Sequence, residues 1–171
     1  MQRTMNEDGI NIIKSFEGIE DGDPSTVNLD LYLCPADVWT IGWGHAIIYK
    51  GQQLNIENDP EGKMAKKLYP SGITEEQANL MLQDDIYIRC KNVNRILGDI
   101  PLTENQFSAI ISFVYNVGEG NFVKSTMLKK ILMGDKIAAS NQFGKWIKSD
   151  GIVLNGLIRR REAERKLFLK Q

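Results

Sequence analysis

The stretch "LYLCPADVWTIGWGHA", residues 31–46, decides how this chain folds. It places β-branched and aromatic residues on both sides of proline, aspartate and glycine, which is the composition of short strands joined by tight turns. The glycines near its end permit backbone conformations or close approaches that a side chain would prevent. We therefore predict a β hairpin here, and this hairpin carries three side chains with reactive groups, Cys34, Thr40 and His45.

On the N-terminal side of the hairpin, the sequence predicts a short helix over residues 6–16. Asn6 is a good helix cap, acidic residues follow in the first turn, and apolar residues recur at near-helical spacing. Glu17 therefore falls at the end of this helix. From Gly18 to about Ile73, glycine, proline and aspartate are too frequent for helix, so we expect a small β lobe.

The rest of the chain is predicted to be helical. The segments "TEEQ" (74–77) and "TENQ" (103–106) each place a threonine three residues before a glutamine, which is the pattern of a capping box. Helices are expected to run from these two threonines to about Leu97 and Val117. Three further helices are expected over Ser125–Met133, Asp135–Ile147 and Leu157–Lys170.

Length and composition predict one catalytic domain. The chain has 171 residues, of which 42% are apolar, and this size suits one or at most two small domains. No linker rich in proline or serine divides the chain. We predict an α+β, mainly α, two-lobe fold over residues 1–171. The β lobe covers about 18–73, and the helical lobe covers about 74–171 plus the N-terminal helix.

Charge and hydropathy argue against several classes of function. The formal net charge is −1, whereas nucleic-acid binding usually needs a basic excess, so no nucleic-acid partner is expected. No apolar run approaches the roughly 18 residues of a membrane span, so no stable membrane insertion is expected. One histidine and two cysteines give no metal-ligand spacing, so we predict no metal and no other cofactor.

An acid at the end of a helix and close to a β hairpin is suited to general acid catalysis. A carboxyl group that is partly withdrawn from water can keep its proton near neutral pH and deliver it to a leaving group. Position alone equally fits an ordinary surface glutamate. The residues around Glu17 decide between the two interpretations.

Separated blocks of this sequence resemble the phage-type lysozyme (endolysin) family, glycoside hydrolase family 24. The resemblance covers nearly the whole chain, from about Ile10 to Leu169. Because the blocks occur in the order found in the family, together they are far more specific than any one of them. The blocks are "FEG" (16–18), "YLCPADVWTIGWGH" (32–45), "GITEEQA" (72–78), "LTENQFSAIISFVYNVGEGNFVKSTMLKKI" (102–131) and "GLIRRREAE" (156–164).

The family motif is a glutamate, then an aspartate or in many members a cysteine, then five residues and a threonine. Glu17, Cys34 and Thr40 match it. The resemblance implies hydrolysis of the β-1,4 bond between N-acetylmuramic acid and N-acetylglucosamine in peptidoglycan. Glu17 would be the general acid, and Cys34 and Thr40 would position the attacking water. Two alternatives stay open at Cys34: attack on the anomeric carbon, or a role as a small buried apolar residue.

The resemblance also implies roles for other positions. Arg160 matches the arginine that pairs with the catalytic glutamate in this family. His45 ends the "TIGWGH" block, and we favour a packed, hydrogen-bonded role for it over direct catalysis. Four further residues match positions that line the sugar groove: Tyr115, Asn116, Ser125 and Ser140.

The sequence departs from the family pattern in two segments. Sixteen residues separate Glu17 from Cys34, about twice the common spacing, and the extra residues read "IEDGDPSTVNLD" (19–30). Residues 55–72 are also more numerous than expected and form either a mobile flap or a passive loop. Asp37, where the family more often has glycine, is expected to be a turn residue. The insertion at 19–30 contains three aspartates that can replace the missing carboxylate, Asp21, Asp23 and Asp30.

Two other classes of function stay open. Cys34 and His45 can form a thiol–imidazole pair that cleaves peptide stems, as in an amidase or endopeptidase. Alternatively, the chain can be an inactive module that binds the cell wall. A regulatory disulfide between Cys34 and Cys90 is conceivable but has no support in the sequence.

Localisation and partners follow from the resemblance and from the N-terminal sequence. The first residues lack the basic-then-apolar order of a signal peptide, and the two cysteines fit synthesis in a reducing cytoplasm. We expect a monomer that accumulates in the host cytoplasm and acts on peptidoglycan glycan strands in the periplasm. It would depend on a holin to permeabilise the inner membrane.

Overall fold

The computed structural model describes residues 2–19, 21–149 and 151–171. The chain divides into two compact units. One is formed by the N-terminal residues up to Phe16 together with Ile86–Gln171, and the other is Glu17–Asp85. The second boundary therefore lies later in the chain than the end of the β lobe expected from the sequence.

The unit Glu17–Asp85 contains two small antiparallel sheets. Strands β1 (Tyr32–Leu33), β2 (Trp39–Ile41) and β3 (His45–Ala46) form a three-stranded sheet in that order. Strands β4 (Ile48–Tyr49) and β5 (Gln52–Gln53) form a two-stranded sheet. The hairpin predicted from the "LYLCPADVWTIGWGHA" stretch is confirmed, since β1, β2 and β3 lie within it.

One face of the three-stranded sheet covers an apolar core. The side chains of Ile41 and Ile47 are fully buried in it, and Trp39 and Trp43 pack against it. Burial of apolar surface of this kind is the main force that holds short strands together. The buried members of the core are Leu31, Ile41, Ile47, Leu54, Ala65, Ile73 and Ala78.

The expectation that residues 18–73 contain no helix is wrong at helix α2, Lys63–Leu68. Asp59 is buried, and its carboxylate accepts hydrogen bonds from the backbone N–H groups of Met64 at 3.1 Å and Ala65 at 2.9 Å. These groups lie in the first turn of a helix, where amides lack partners within the helix. Because Asp59 does not adjoin the helix in sequence, the usual pattern of a helix start was absent.

Helices make up most of the remaining chain. Thr103 Oγ1 accepts from the Gln106 N–H at 3.2 Å, and the Gln106 side chain accepts from the Thr103 N–H at 3.1 Å. The same reciprocal pair joins Thr74 and Gln77, so both predicted capping boxes are confirmed. The helices are α1 (Glu7–Glu17), α3 (Glu75–Leu97), α4 (Glu104–Val117), α5 (Glu119–Lys124), α6 (Thr126–Leu132), α7 (Lys136–Ser140) and α8 (Asn155–Leu169).

The single helix predicted over Asp135–Ile147 is wrong, because α7 ends at Ser140. A 3₁₀ turn follows at Phe143–Lys145, and strands β6 (Lys148–Ser149) and β7 (Ile152–Val153) form a hairpin before α8. Helix α5 was not predicted either. None of the described helices has the length and apolar composition that crossing a membrane requires.

Two aromatic residues that follow α7 pack against α4. The Phe113 ring on α4 meets the Phe143 ring edge-on at 5.5 Å between centroids and the Trp146 ring at 5.4 Å. Edge-to-face contacts of this kind add to the stabilisation from burial. Trp146 itself is half-buried.

A buried ion network lies within α8 and against α4. Glu164, with no exposed surface, approaches Arg160 Nε at 3.2 Å and Arg161 Nε at 3.1 Å, and it accepts a hydrogen bond from Ser112 Oγ at 3.0 Å. Burial raises the pKa of Glu164, although the two guanidinium groups and the Ser112 hydroxyl oppose this shift. One carboxylate thus compensates two buried cations.

We expect Glu164→Ala to lower the free energy of unfolding by about 3–5 kcal/mol, because it removes a buried carboxylate that two buried guanidinium groups contact. Urea denaturation followed by circular dichroism measures the change. Glu162→Ala is the matched control, since Glu162 is exposed on the same helix and its loss should change stability by no more than about 0.5 kcal/mol. Equal effects of the two substitutions would contradict the network's role.

Candidate active site

Glu17 is the last residue of α1, as the sequence predicted. Gly18 follows with φ of 67°, a left-handed conformation that commonly ends helices. A Cβ atom placed on Gly44 would lie 3.5 Å from Glu17 Oε2, so the Glu17 carboxylate lies against the turn between β2 and β3. Gly44 itself has φ of 81°. Glycine is favoured there for its backbone conformation, and its small size leaves room beside the acid.

Cys34 and Thr40 lie on the same face of the three-stranded sheet. Tyr32 pairs with Thr40, and the Cys34 N–H donates to the Val38 carbonyl at 3.0 Å, which continues the ladder beyond β1. Since side chains alternate along a strand, Cys34 and Thr40 become diagonal neighbours on one face. The core residue Ile41 is directed to the other face. The predicted pairing of a thiol with a hydroxyl across the hairpin therefore follows from the strand register.

The Thr40 hydroxyl has a fixed orientation. Thr40 is only 4% exposed, and its Oγ1 donates to the Val38 carbonyl at 3.0 Å. Because the hydroxyl proton is used in this bond, the oxygen lone pairs remain available to accept a hydrogen bond. Cys34 is half-buried, and its carbonyl accepts from the Asp37 N–H at 2.9 Å. Asp37 has φ of 58°, which confirms it as a turn residue.

The three aspartates of the insertion at 19–30 form hydrogen bonds within the insertion. Asp21 Oδ1 accepts from the N–H groups of Asp23 at 3.1 Å and Asp30 at 3.0 Å. Asp23 accepts from the hydroxyl and the N–H of Ser25, and these hydrogen bonds lower the pKa of Asp23. Asp30 Oδ2 accepts from Thr26 Oγ1 at 2.6 Å. Each carboxylate therefore has a structural partner, and none of these contacts involves Cys34 or Thr40.

His45 has a structural partner on α3. Its Nδ1 lies 2.9 Å from Asp85 Oδ2, with the two side chains 26% and 17% exposed. This hydrogen-bond contact, which sequence reasoning missed, supports the favoured hydrogen-bonded role of His45. His45 pairs with Ile41 in the sheet register, so it lies on the face opposite Cys34. Because the two side chains lie on opposite faces of the sheet, this arrangement does not favour a thiol–imidazole pair of Cys34 and His45.

The residues assigned to the sugar groove on α4 have cationic neighbours. The Arg89 guanidinium lies 4.3 Å from the centre of the Tyr115 ring, and Arg161 donates to Asn116 Oδ1 at 2.7 Å. Sequence reasoning missed both arginines, although the three-residue spacing of Arg161 and Glu164 was a usable signal. The pairing of Arg160 with the catalytic glutamate stays a prediction.

Ser125 and Ser140, the two serines assigned to the groove, make hydrogen bonds at helix ends in the unit that contains Ile86–Gln171. Ser125 Oγ accepts from the Leu128 N–H at 3.0 Å and so caps helix α6. Ser140 has no exposed surface, and its hydroxyl donates to the Ile137 carbonyl at 2.8 Å. A hydroxyl without exposed surface cannot contact a sugar, so the expectation for Ser140 is corrected to a helix-end hydrogen bond. The expectation for Ser125 stays a prediction beside its capping role.

The chain shares sequence with phage proteins over most of its length. The family model described as Phage lysozyme matches residues 15–164. The endolysin of Acyrthosiphon pisum secondary endosymbiont phage 1 is 37% identical over 168 residues, which cover 96% of this chain and 97% of that protein. The endolysin of Bacillus phage B103 is 38% identical over 162 residues, or 94% of this chain. The matched part is 52% of that endolysin, so the chain spans about half its length.

Solved structures of an endolysin and a muramidase domain are also similar to this chain. An endolysin from Escherichia coli O157:H7 phage FAHEc1 aligns with a TM-score of 0.75 and 28% identity, covering 99% of this chain and 95% of that one. The muramidase domain of SpmX from Asticaccaulis excentricus aligns with a TM-score of 0.74 and 29% identity, covering 99% of both chains. The α+β fold is thus of the lysozyme type. The chain belongs to the phage lysozyme family, and the family and fold class predicted from the sequence are confirmed.

The two cysteines should differ sharply in reactivity. Both are free thiols, but Cys34 is half-buried whereas Cys90 is buried, and burial raises the pKa of Cys90 to about 11. At about pH 8 we expect a chromogenic disulfide reagent to modify one thiol in the folded protein and the second only after unfolding. Cys34→Ala should abolish the first reaction and Cys90→Ala should leave it intact. Rapid modification of both thiols in the folded protein would contradict this assignment.

Proposed function

We propose that this chain is an endolysin that acts as a muramidase, cleaving the β-1,4 bond between N-acetylmuramic acid and N-acetylglucosamine in peptidoglycan. The observation that carries the proposal is the position of Glu17 Oε2 against the Gly44 turn of the hairpin that bears Cys34 and Thr40 on one face. The names of the relatives, endolysin and muramidase, point in the same direction.

In the proposed mechanism, Glu17 is the general acid. It donates its proton to the glycosidic oxygen as the bond to the anomeric carbon breaks, and positive charge develops on the sugar ring. A water molecule attacks the anomeric carbon from the opposite side, forms the new C–O bond and loses a proton to solvent. Glu17 then regains a proton from solvent.

Cys34 and Thr40 position the attacking water. The Thr40 hydroxyl donates to the Val38 carbonyl, so its oxygen accepts a hydrogen bond from the water. The Cys34 thiol, the diagonal neighbour of Thr40, provides a second, weaker contact. Two contacts of fixed geometry hold the water in one orientation, which lowers the entropic cost of the attack.

Glu17→Gln should reduce the rate of peptidoglycan hydrolysis by roughly 10²–10⁴-fold, because the amide cannot donate a proton to the leaving oxygen. The release of reducing sugar ends from purified peptidoglycan measures the rate. Glu7→Gln is the matched control, since Glu7 is exposed at the other end of the same helix. If Glu17→Gln hydrolyses peptidoglycan as fast as the parent, the proposed mechanism is wrong.

Water held by Cys34 and Thr40 should attack directly and give a product of inverted anomeric configuration. Proton NMR of a defined oligosaccharide during the first turnovers distinguishes the anomers. A product of retained configuration would instead indicate a covalent intermediate on Cys34 and would overturn the water-positioning role. Cys34→Asp, which restores the commoner carboxylate, should remain active, whereas Cys34→Ala should lose most activity.

The biological role proposed here is lysis of the host cell at the end of phage growth. We propose that the chain acts as a monomer, accumulates in the host cytoplasm, and reaches the periplasmic peptidoglycan after a holin permeabilises the inner membrane. The amidase alternative makes a different product, because it would release new amino groups instead of reducing ends. The opposite sheet faces of Cys34 and His45 favour the muramidase.

A further inference from the structure

The two segments that exceed the family pattern pack against each other within the unit Glu17–Asp85. Leu29 and Ile73 exchange both backbone hydrogen bonds, at 2.8 Å and 2.9 Å. The Asn28 side chain donates to the Ser71 carbonyl at 2.8 Å. The insertion at 19–30 is therefore attached to the end of the 55–72 segment, and the active-site assignment gives neither segment a function.

Between these two segments lies a cavity of about 430 Å³, within the size range of small-ligand sites. The cavity adjoins the sheet face that carries Trp39, which is opposite the face of Cys34 and Thr40. It is thus separate from those two residues. The side chains that give it chemical character are Asp23, Asp30, Leu31, Trp39, Lys66 and Tyr69.

The charged groups of this cavity come from different segments. The insertion contributes Asp23 and Asp30, each of which uses one carboxylate oxygen to bind Ser25 or Thr26. Helix α2 contributes Lys66, whose ammonium makes no ion pair within the part of the chain that the structure describes. A ligand with both an anionic and a cationic group would match these charges.

The uncharged part of the cavity is apolar and partly aromatic. Leu31 belongs to the buried core, and the Trp39 indole N–H already donates to the Asp59 carbonyl at 2.7 Å. Trp39 therefore presents apolar surface to the cavity. Burial raises the pKa of Tyr69, which keeps its hydroxyl protonated as a donor.

The walls of the cavity are held in place without a ligand. A Cβ atom on Gly22 would lie 2.0 Å from the Leu31 carbonyl oxygen, and one on Gly72 would lie 2.5 Å from the Leu29 carbonyl oxygen. The backbone of the insertion at 19–30 thus approaches both the start of the hairpin, at Leu31, and the end of the 55–72 segment as closely as glycine allows. A pre-formed wall reduces the ordering cost that a ligand must overcome.

We propose that this cavity binds the peptide stem of peptidoglycan, a short peptide with a free ammonium, a free carboxylate and small apolar side chains. Lys66 binds the carboxylate, Asp23 and Asp30 bind the ammonium, and Leu31 and Trp39 contact the methyl groups. A neutral sugar would leave all three charges unmatched. This inference rests on the proposed function, because action on peptidoglycan is what brings the peptide to this surface.

The test is calorimetric titration of the full chain with a purified stem tetrapeptide that carries no sugar. The parent should bind it, and Lys66→Gln should weaken binding about tenfold or more, the loss expected for one hydrogen bond between charged groups. Lys67→Gln is the matched control, since Lys67 is exposed on the same helix but does not line the cavity. A chitin tetrasaccharide should not displace the peptide.

Three results would overturn the inference: no binding of the tetrapeptide to the parent, equal binding to the parent and Lys66→Gln, or displacement of the peptide by the chitin tetrasaccharide. The assay involves no bond cleavage, so its result is independent of the proposed function. Release of reducing ends without peptide binding would leave the muramidase proposal standing and remove this site. Peptide binding without release of reducing ends would leave this site standing and remove the muramidase proposal.

Discussion

The register of the hairpin is the constraint on which the rest of this structure depends. By pairing Tyr32 with Thr40, it directs Ile41 into the core and Thr40 to the other face, where Cys34 also lies. A slip of one residue would exchange the two faces, so that Ile41 would leave the core and Thr40 and Cys34 would be directed into it. The same backbone hydrogen bonds therefore place both a core residue and two candidate site residues.

Compensation of buried charge is the second organising feature. Glu164 holds Arg160 and Arg161 inside the helical unit, and Arg161 in turn donates to Asn116 on α4. An ion network of this kind costs desolvation energy, which packed apolar residues would avoid. In this network the Arg161 guanidinium orients the Asn116 side chain by donating to its Oδ1 at 2.7 Å. In the unit Glu17–Asp85, Asp59 is also a buried carboxylate with polar partners, because it accepts hydrogen bonds from amides at the start of α2.

The sequence predicted those features that arise from local interactions. The capping boxes at Thr74 and Thr103, the end of α1 at Glu17 and the hairpin all depend on residues a few positions apart. Helix α2 was missed because its first amides bind Asp59, five and six residues earlier, and not a capping residue next to the helix. The turn after Ser140 was missed because its aromatic residues pack on Phe113 of another helix. In the candidate site, motif spacing identified Cys34 and Thr40, whereas the burial of Ser140 and the partner of His45 required the tertiary structure.

The helical unit is discontinuous along the chain, and this has a consequence for synthesis on the ribosome. Helix α1 is translated before the Ile86–Gln171 segment, yet Asp8 pairs with Lys170 at 2.7 Å and Arg3 donates to the carbonyls of Gly98 and Ile100. Residues up to Lys170 must be translated before Asp8 can meet this partner. The Glu17–Asp85 segment is completed much earlier. During synthesis, α1 thus stays within reach of chaperones and proteases until the Ile86–Gln171 segment has been made.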